Sequence, residues 1–122
     1  NSNGIRHTSC IFDIKTREVV RSFERALYGL SPDGKYGVSL NFSRLQRLRP
    51  GYGYDDIEDL TLNQPSPTED GLWLVDLLSG ESQFILSLND AAEYNPERSM
   101  GNASHYFNHI LWSPDSRNFF FF

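Results

Sequence analysis

Three arginines and two tyrosines lie within a short stretch of this chain, and their side chains are suited to binding an anionic group. They are Arg44, Arg47, Arg49, Tyr52 and Tyr54. A guanidinium group binds a carboxylate through two parallel hydrogen bonds, and a tyrosine ring can stack against a sugar. The stretch is therefore a candidate site for an acidic saccharide or for an acidic segment of a partner protein.

Four acidic residues follow the arginines closely enough to neutralise them. They are Asp55, Asp56, Glu58 and Asp59. Ion pairs between the two groups would make this stretch an amphipathic surface loop without a ligand. The sequence leaves both interpretations open.

The composition limits the classes of function that the chain can serve. The chain has 122 residues and a formal net charge of -5, which argues against nucleic-acid binding because phosphates are collected by a basic surface. No apolar run is long enough to predict a membrane span. The single cysteine, Cys10, rules out an internal disulfide, and its place in an apolar run predicts a buried structural thiol.

Two turn motifs each occur twice, and they recur in the same order along the chain. Ser-Pro-Asp-Gly at 31–34 returns as Ser-Pro-Asp-Ser at 113–116. The pattern Asp, aliphatic, any residue, hydroxyl, any residue, Glu at 13–18 returns at 76–81. Proline and aspartate form the two corners of a type I turn, and glycine accepts the positive φ that follows. The second copy lacks this glycine, which predicts a strained or altered bulge at Ser116.

Apolar runs rich in β-branched and aromatic residues flank these turns and predict eight antiparallel strands, hence an all-β fold. In chain order they form the last two strands of one four-stranded unit, a complete second unit, and the first two strands of a third. Repeated four-stranded units of about forty residues are typical of β-propeller blades. We therefore expect two blades' worth of antiparallel four-stranded sheets from a larger propeller, as an out-of-phase fragment whose remaining blades lie in the parent chain.

On this interpretation residues 1–122 form one partial propeller domain. The blade segments are 8–42, 71–88 and 106–122, and two long loop insertions occupy 43–70 and 89–105. Loops of this length are uncommon in a small domain unless they serve a function. The end sheets would expose apolar faces, so the chain expressed alone is expected to self-associate.

An aromatic residue or leucine before Ser-Pro-Asp, together with the Asp-x-x-Ser-Gly-Glu hairpin, resembles the TolB-like and WD-repeat-like propeller repeats. The resemblance covers the chain outside the two insertions. It implies the fold and no particular activity, because these motifs are turns that shape the sheets. The function we expect is a binding or scaffolding module without a cofactor, which presents its loops to a ligand or a protein partner.

A narrower resemblance concerns the residues before the second Ser-Pro-Asp turn. His109, followed by Trp-Ser-Pro-Asp at 112–115, is similar to channel-strand motifs of the oligogalacturonate lyase family of propellers. The resemblance implies that His109, and by proximity His105, binds a divalent metal such as manganese. It also implies the alternative function, which is metal-dependent elimination acting on acidic (uronate) oligosaccharides.

The same residues also have an interpretation that involves no metal. The lyase family's other metal ligands have no counterpart in this chain. Without a metal, His105 and His109 would cap the entrance of a strand and bond the neighbouring backbone. Asn108 is a further candidate ligand-binding residue, and it is equally suited to turning the backbone.

Overall fold

The computed structural model describes residues 6–122, in which three antiparallel sheets form most of the regular structure. The first sheet pairs β1 (Ser9–Asp13) with β2 (Glu18–Phe23). The second has the order β3 (Gly29–Leu30), β4 (Tyr36–Ser39), β5 (Gly71–Asp76) and β6 (Ser82–Ser87). The third pairs β7 (Leu111–Trp112) with β8 (Phe119–Phe120). The predicted all-β class with antiparallel pairing is confirmed, and the eight strands group as two, four and two.

Two short helices and one 3-10 turn lie between the strands. They are α1 (Phe42–Leu48), α2 (Leu88–Glu93) and the 3-10 turn Arg98–Met100. Phe42 and Leu88, which the strand pattern places at strand ends, instead begin the helices, because Asn41 and Ser87 cap them with side-chain oxygens. Within residues 6–122, none of the helices is both long and apolar enough to cross a membrane.

Both insertions leave the same end of the four-stranded sheet. α1 begins just after β4, and α2 begins directly after β6. β4 and β6 run in the same direction because each pairs antiparallel with the strand between them, β5. The 43–70 and 89–105 insertions therefore start side by side.

The two Ser-Pro-Asp turns have the same hydrogen bonds and the same backbone shape. In each copy the serine hydroxyl donates to the aspartate carboxylate at 2.6 Å. Gly34 has φ 71° and Ser116 has φ 62°, so both lie in the left-handed region. The turn without glycine is therefore not altered in shape, and Ser116 carries the strain of a side chain in that region.

Neighbouring sheets touch through these turns and through their edge strands. The Asp33 N–H donates to the Ser116 hydroxyl at 3.0 Å, which joins the two copies of the turn. A Cβ atom on Gly29 of β3 would lie 3.5 Å from the carbonyl of Ile110, just before β7. On the other side, Arg21 of β2 donates to the carbonyls of Leu77 and Leu78 in the β5–β6 turn.

The core lies between the four-stranded sheet, α1 and the chain leading into β7. Val38, Leu45 and Leu72 are completely buried and belong to one cluster with Phe107 and Ile110. Burial of each such aliphatic side chain stabilises the fold by roughly 1.5–3 kcal/mol. β5 supplies Leu72 to this core and is an inner strand of its sheet, as its continuous apolar run predicts.

The two-stranded sheets are far more exposed than the four-stranded sheet. Phe12 is 52% exposed, Val20 65% and Phe120 52%. Cys10 is exposed as well, so the prediction of a buried thiol is wrong. The reason is that β1 and β2 contribute no residue to the main core cluster, so the side chains of β1 on both faces of this small sheet are largely exposed.

Candidate functional site

Arg44 lies inside the protein, where the two insertions meet, and only 1% of its side chain is exposed. Its Nε donates to the His105 carbonyl at 2.7 Å and its Nη2 to the Pro65 carbonyl at 2.8 Å. Its Nη1 donates to the carbonyl and hydroxyl oxygens of Thr61 at 3.2 and 2.9 Å. These four hydrogen bonds tie α1 to both insertions, so the Arg44 guanidinium holds the loops together and does not face a ligand.

Arg47 forms the ion pair that the acidic residues predict. Its Nε and Nη2 both lie 2.9 Å from a carboxylate oxygen of Asp59. Burial raises the pKa of Asp59, but hydrogen bonds from Thr61 and Arg47 outweigh burial and leave that pKa below its usual value. Asp56, by contrast, accepts a hydrogen bond from His7 at 2.8 Å. The ion-pair interpretation therefore applies to Arg47.

Arg49 is exposed, and it joins the arginine stretch to the histidine stretch. Its guanidinium carbon lies 4.6 Å from the ring centre of Tyr52, and the phenols of Tyr52 and Tyr106 raise the pKa of Arg49 above its usual value. The Tyr52 ring centre is 6.0 Å from that of His109, and His109 is 5.9 Å from Phe122. We call these five residues the Arg49 cluster. It combines a permanent positive charge with four rings that are exposed or partly exposed.

His109 reaches this cluster because a bulge lies just beyond the paired residues of β7 and β8. Leu111 lies opposite Phe120, whereas Asn108 exchanges two backbone hydrogen bonds with Phe122, at 2.6 and 2.8 Å. Two residues, 109 and 110, therefore lie opposite the single residue 121. His109 has φ 49°, which costs a residue other than glycine about 1–3 kcal/mol. Such strain concentrates at functional sites, where a bulge redirects a side chain.

Asn108 lies beneath the cluster and is only 3% exposed. Its side-chain oxygen accepts hydrogen bonds from the Tyr28 hydroxyl at 3.1 Å and from the His109 N–H at 2.8 Å. Both bonds hold the bulged backbone in place. In this structure Asn108 positions His109 and has no exposed side chain for a ligand.

Tyr54 and His105 have neighbours outside the Arg49 cluster. The Tyr54 ring stacks on Phe42 at 5.0 Å and lies 5.0 Å from His7. His105 lines an open cleft of about 280 Å³ beside α2 and the 3-10 turn, together with Glu93 and other residues. The candidate residues of the sequence are thus divided among several places, and only Arg49, Tyr52 and His109 come together with their side chains exposed.

The described residues do not fit a divalent metal by themselves. Within residues 6–122 no group of three or more His, Cys, Asp or Glu side chains is placed to hold a metal ion. Catalytic metal sites usually have three protein ligands. His109 instead has the rings of Tyr52 and Phe122 as neighbours.

A larger cleft of about 360 Å³ lies beside the start of β5 and includes Arg25, Asp70 and Trp73. The Arg25 guanidinium carbon already lies 3.4 Å from the ring centre of Trp73. Burial raises the pKa of Asp70. Because its lining mixes both signs of charge, this cleft offers less to an anionic ligand than the Arg49 cluster does.

Two members of the cluster, Tyr106 and Phe122, are not among the residues that the sequence singles out. Phe122 belongs to an apolar aromatic run, and such residues are normally predicted to belong to the core. The available signal was the position of Tyr106 next to His105, in the same polar stretch as His109.

Comparison of the chain with protein-family models, curated proteins and solved structures gave no significant match.

Proposed function

We propose that the chain is part of a β-propeller that serves as a binding module and holds an acidic saccharide at the Arg49 cluster. One observation carries this proposal. Arg49 and Tyr52 of the first insertion lie at the surface beside His109, which occupies the bulge before β7. The propeller architecture and the acidic saccharide ligand are supported by different observations.

Three observations support the propeller architecture. The four-stranded sheet has the order β3, β4, β5, β6, and a two-stranded sheet lies on either side of it in the chain. The two Ser-Pro-Asp turns touch through Asp33 and Ser116, as equivalent turns of adjacent blades would. β3 and β7, which would be the innermost strands of neighbouring blades, are in contact. The insertions then lie on one face of the propeller, beside the central channel.

The chemistry of the cluster supports an acidic saccharide as the ligand. Arg49 can donate two parallel hydrogen bonds to a carboxylate. The rings of Tyr52, His109 and Phe122 provide apolar surface for the C–H face of a sugar. The cluster consists of five side chains, whereas a stable protein interface usually comprises about 20–30 residues on each side.

Titration calorimetry of the full chain with trigalacturonate tests the proposal. We expect Arg49→Ala to weaken binding by about 10- to 100-fold, because a hydrogen bond to a charged group contributes about 1.5–3 kcal/mol. Arg25→Ala is the matched control, since it removes an equal charge from the cleft where Arg25 is stacked on Trp73. We expect its affinity to stay within about twofold of the wild type.

Two further ligands separate the possible sources of the carboxylate. A neutral galactose oligomer should bind much more weakly than trigalacturonate. A glutamate peptide of matched charge should also bind weakly, and equal binding of that peptide would favour an acidic protein partner. Unsaturated products formed from trigalacturonate after addition of manganese would instead favour the lyase alternative over a binding module.

A further inference from the structure

The Arg49 cluster is assembled from two separate parts of the chain. Arg49 and Tyr52 belong to the first insertion, whereas His109 lies just before β7. Among the described residues, no backbone hydrogen bond joins residues 49–54 to residues 106–110. The spacing between the two halves of the cluster therefore depends on side-chain packing.

The first half is held on the beginning of α1. The Tyr54 N–H donates to the Phe42 carbonyl at 3.3 Å, and the Gln46 side-chain oxygen accepts two hydrogen bonds from backbone N–H groups of the same loop, at 2.9 and 3.2 Å. The Phe42 ring stacks on the Tyr54 ring, with 5.0 Å between the ring centres. The loop that contains Tyr52 is therefore fixed relative to Phe42.

The second half is held by Tyr28, which lies just before β3. The Tyr28 hydroxyl donates to the Asn108 side-chain oxygen at 3.1 Å, and the same oxygen accepts a hydrogen bond from the His109 N–H at 2.8 Å. The Tyr28 ring also stacks on Phe42, with 6.1 Å between the ring centres and 19° between the ring planes. The Tyr28 N–H donates to the Val38 carbonyl at 2.8 Å, which fixes Tyr28 to β4. Tyr28 therefore contacts the supports of both halves.

We propose that Tyr28 is a positioning residue of the saccharide site, which holds His109 at a fixed distance from the Tyr52 loop. This inference rests on the proposed binding of a saccharide at the Arg49 cluster. His109 has φ 49°, and strained backbone of this kind persists only when the surrounding structure holds it. The hydrogen bond from Tyr28 to the buried Asn108 side chain supplies part of this support.

Loss of the Tyr28 hydroxyl should lower the fraction of molecules in which His109 occupies the binding position. The apparent affinity falls in proportion to that fraction. One hydrogen bond between uncharged groups changes an equilibrium by about 3- to 10-fold. Tyr28→Phe retains the ring that stacks on Phe42 and removes only the hydroxyl, so we expect trigalacturonate to bind about 3- to 10-fold more weakly in titration calorimetry.

Tyr36→Phe is the matched control. Tyr36 is partly buried, as Tyr28 is, and it begins β4 directly after the first Ser-Pro-Asp turn, at the end of the sheet away from the insertions. We expect the affinity of this variant to stay within about twofold of the wild type. A Tyr28→Phe variant that binds trigalacturonate as tightly as the control would overturn the proposal.

A double-mutant cycle separates positioning of His109 from a general loss of structure. His109→Ala removes the ring that Tyr28 positions and keeps the backbone N–H that donates to Asn108. In this background Tyr28→Phe should change the affinity by less than about twofold, because no imidazole remains to be positioned. An equal loss of affinity in both backgrounds would show that Tyr28 does not act through His109, and the proposal would be wrong.

Amide NMR spectroscopy of the chain without saccharide tests the same contact independently of the proposed function. The His109 N–H signal should move in Tyr28→Phe and remain in place in Tyr36→Phe, because the Tyr28 hydroxyl polarises the oxygen that accepts this N–H. A wild-type chain that does not bind trigalacturonate would refute the proposed function, whereas a shifted His109 signal would still support the positioning role of Tyr28. A His109 signal that does not move would overturn that role.

Discussion

Replacing Arg44 with alanine is expected to destabilise the whole fold and not only the loop that contains this residue. The guanidinium supplies four hydrogen bonds to three residues in the two insertions, which are Thr61, Pro65 and His105. Removing one member of a buried charged network costs about 3–5 kcal/mol, because the remaining polar groups lose their partners in a site without solvent. A domain of this kind has a total stability of about 5–15 kcal/mol.

The loss should be visible as a large change in the thermal midpoint. For a chain of this length each kcal/mol lowers Tm by about 3–6 °C, so Arg44→Ala should lower it by at least about 10 °C. Circular dichroism at increasing temperature measures the Tm of the variant and of the wild type. Arg44→Lys should lose most of the same stability, because an ammonium group cannot reach the acceptors of all three residues with the geometry of the guanidinium fork.

Arg47→Ala is the matched control. Its side chain is 28% exposed, and its partner Asp59 retains the hydrogen bonds from Thr61. We therefore expect a loss of less than half that of Arg44→Ala. The reasoning would be refuted if Arg44→Ala stayed within about 1 kcal/mol of the wild type, or if Arg44→Lys were as stable as the wild type.

Three further substitutions test other parts of the structure. A Cβ atom at Gly53 would clash with the Phe42 carbonyl oxygen, so Gly53→Ala should displace the loop that contains Tyr52. We expect the affinity for trigalacturonate to fall about tenfold. An unchanged affinity would contradict the role of this loop in binding. Burial raises the pKa of Asp70, so the ionised carboxylate lowers the stability of the folded state at neutral pH. Asp70→Asn should therefore raise Tm at pH 7, and the difference in Tm from the wild type should disappear below the ordinary pKa of 3.8. A difference in Tm that does not change with pH would contradict the raised pKa of Asp70. Ser116→Ala loses the hydrogen bond from the Asp33 N–H and keeps the positive φ, so its free energy of unfolding, measured in urea, should fall by about 1 kcal/mol. Ser116→Gly also loses the hydrogen bond but relieves the backbone strain, so its free energy of unfolding should be closer to that of the wild type.

The strands and turns could be predicted because they depend on interactions between neighbours in the sequence. An aspartate at 13 or 76 accepts hydrogen bonds from N–H groups two and three residues later, whatever the rest of the fold does. The repeat of both turns then indicates which strands belong together. The two helices were missed because each is short and depends on a single capping residue, Asn41 or Ser87, at the end of a strand.

The candidate site could be predicted only in part, since burial depends on contacts between distant segments. Arg44, Arg47 and Arg49 have the same side chain, and the sequence treats them alike. α1 rotates Arg44 into the junction of the insertions and Arg47 toward Asp59, and it leaves Arg49 at the surface beside Tyr52. The position of the helix against both insertions is a property of the packed core, and no local pattern encodes it.

The amino-acid sequence by itself determined the all-β class, the four turns and the order of the strands, because each follows from local backbone preference and from the spacing of apolar residues. Only the tertiary structure decided that Arg49, Tyr52 and His109 meet at the surface, that Asn108 supports a bulge, and that Cys10 is exposed. Those outcomes depend on which segments pack against each other, and packing is decided by the shape and volume of the whole core.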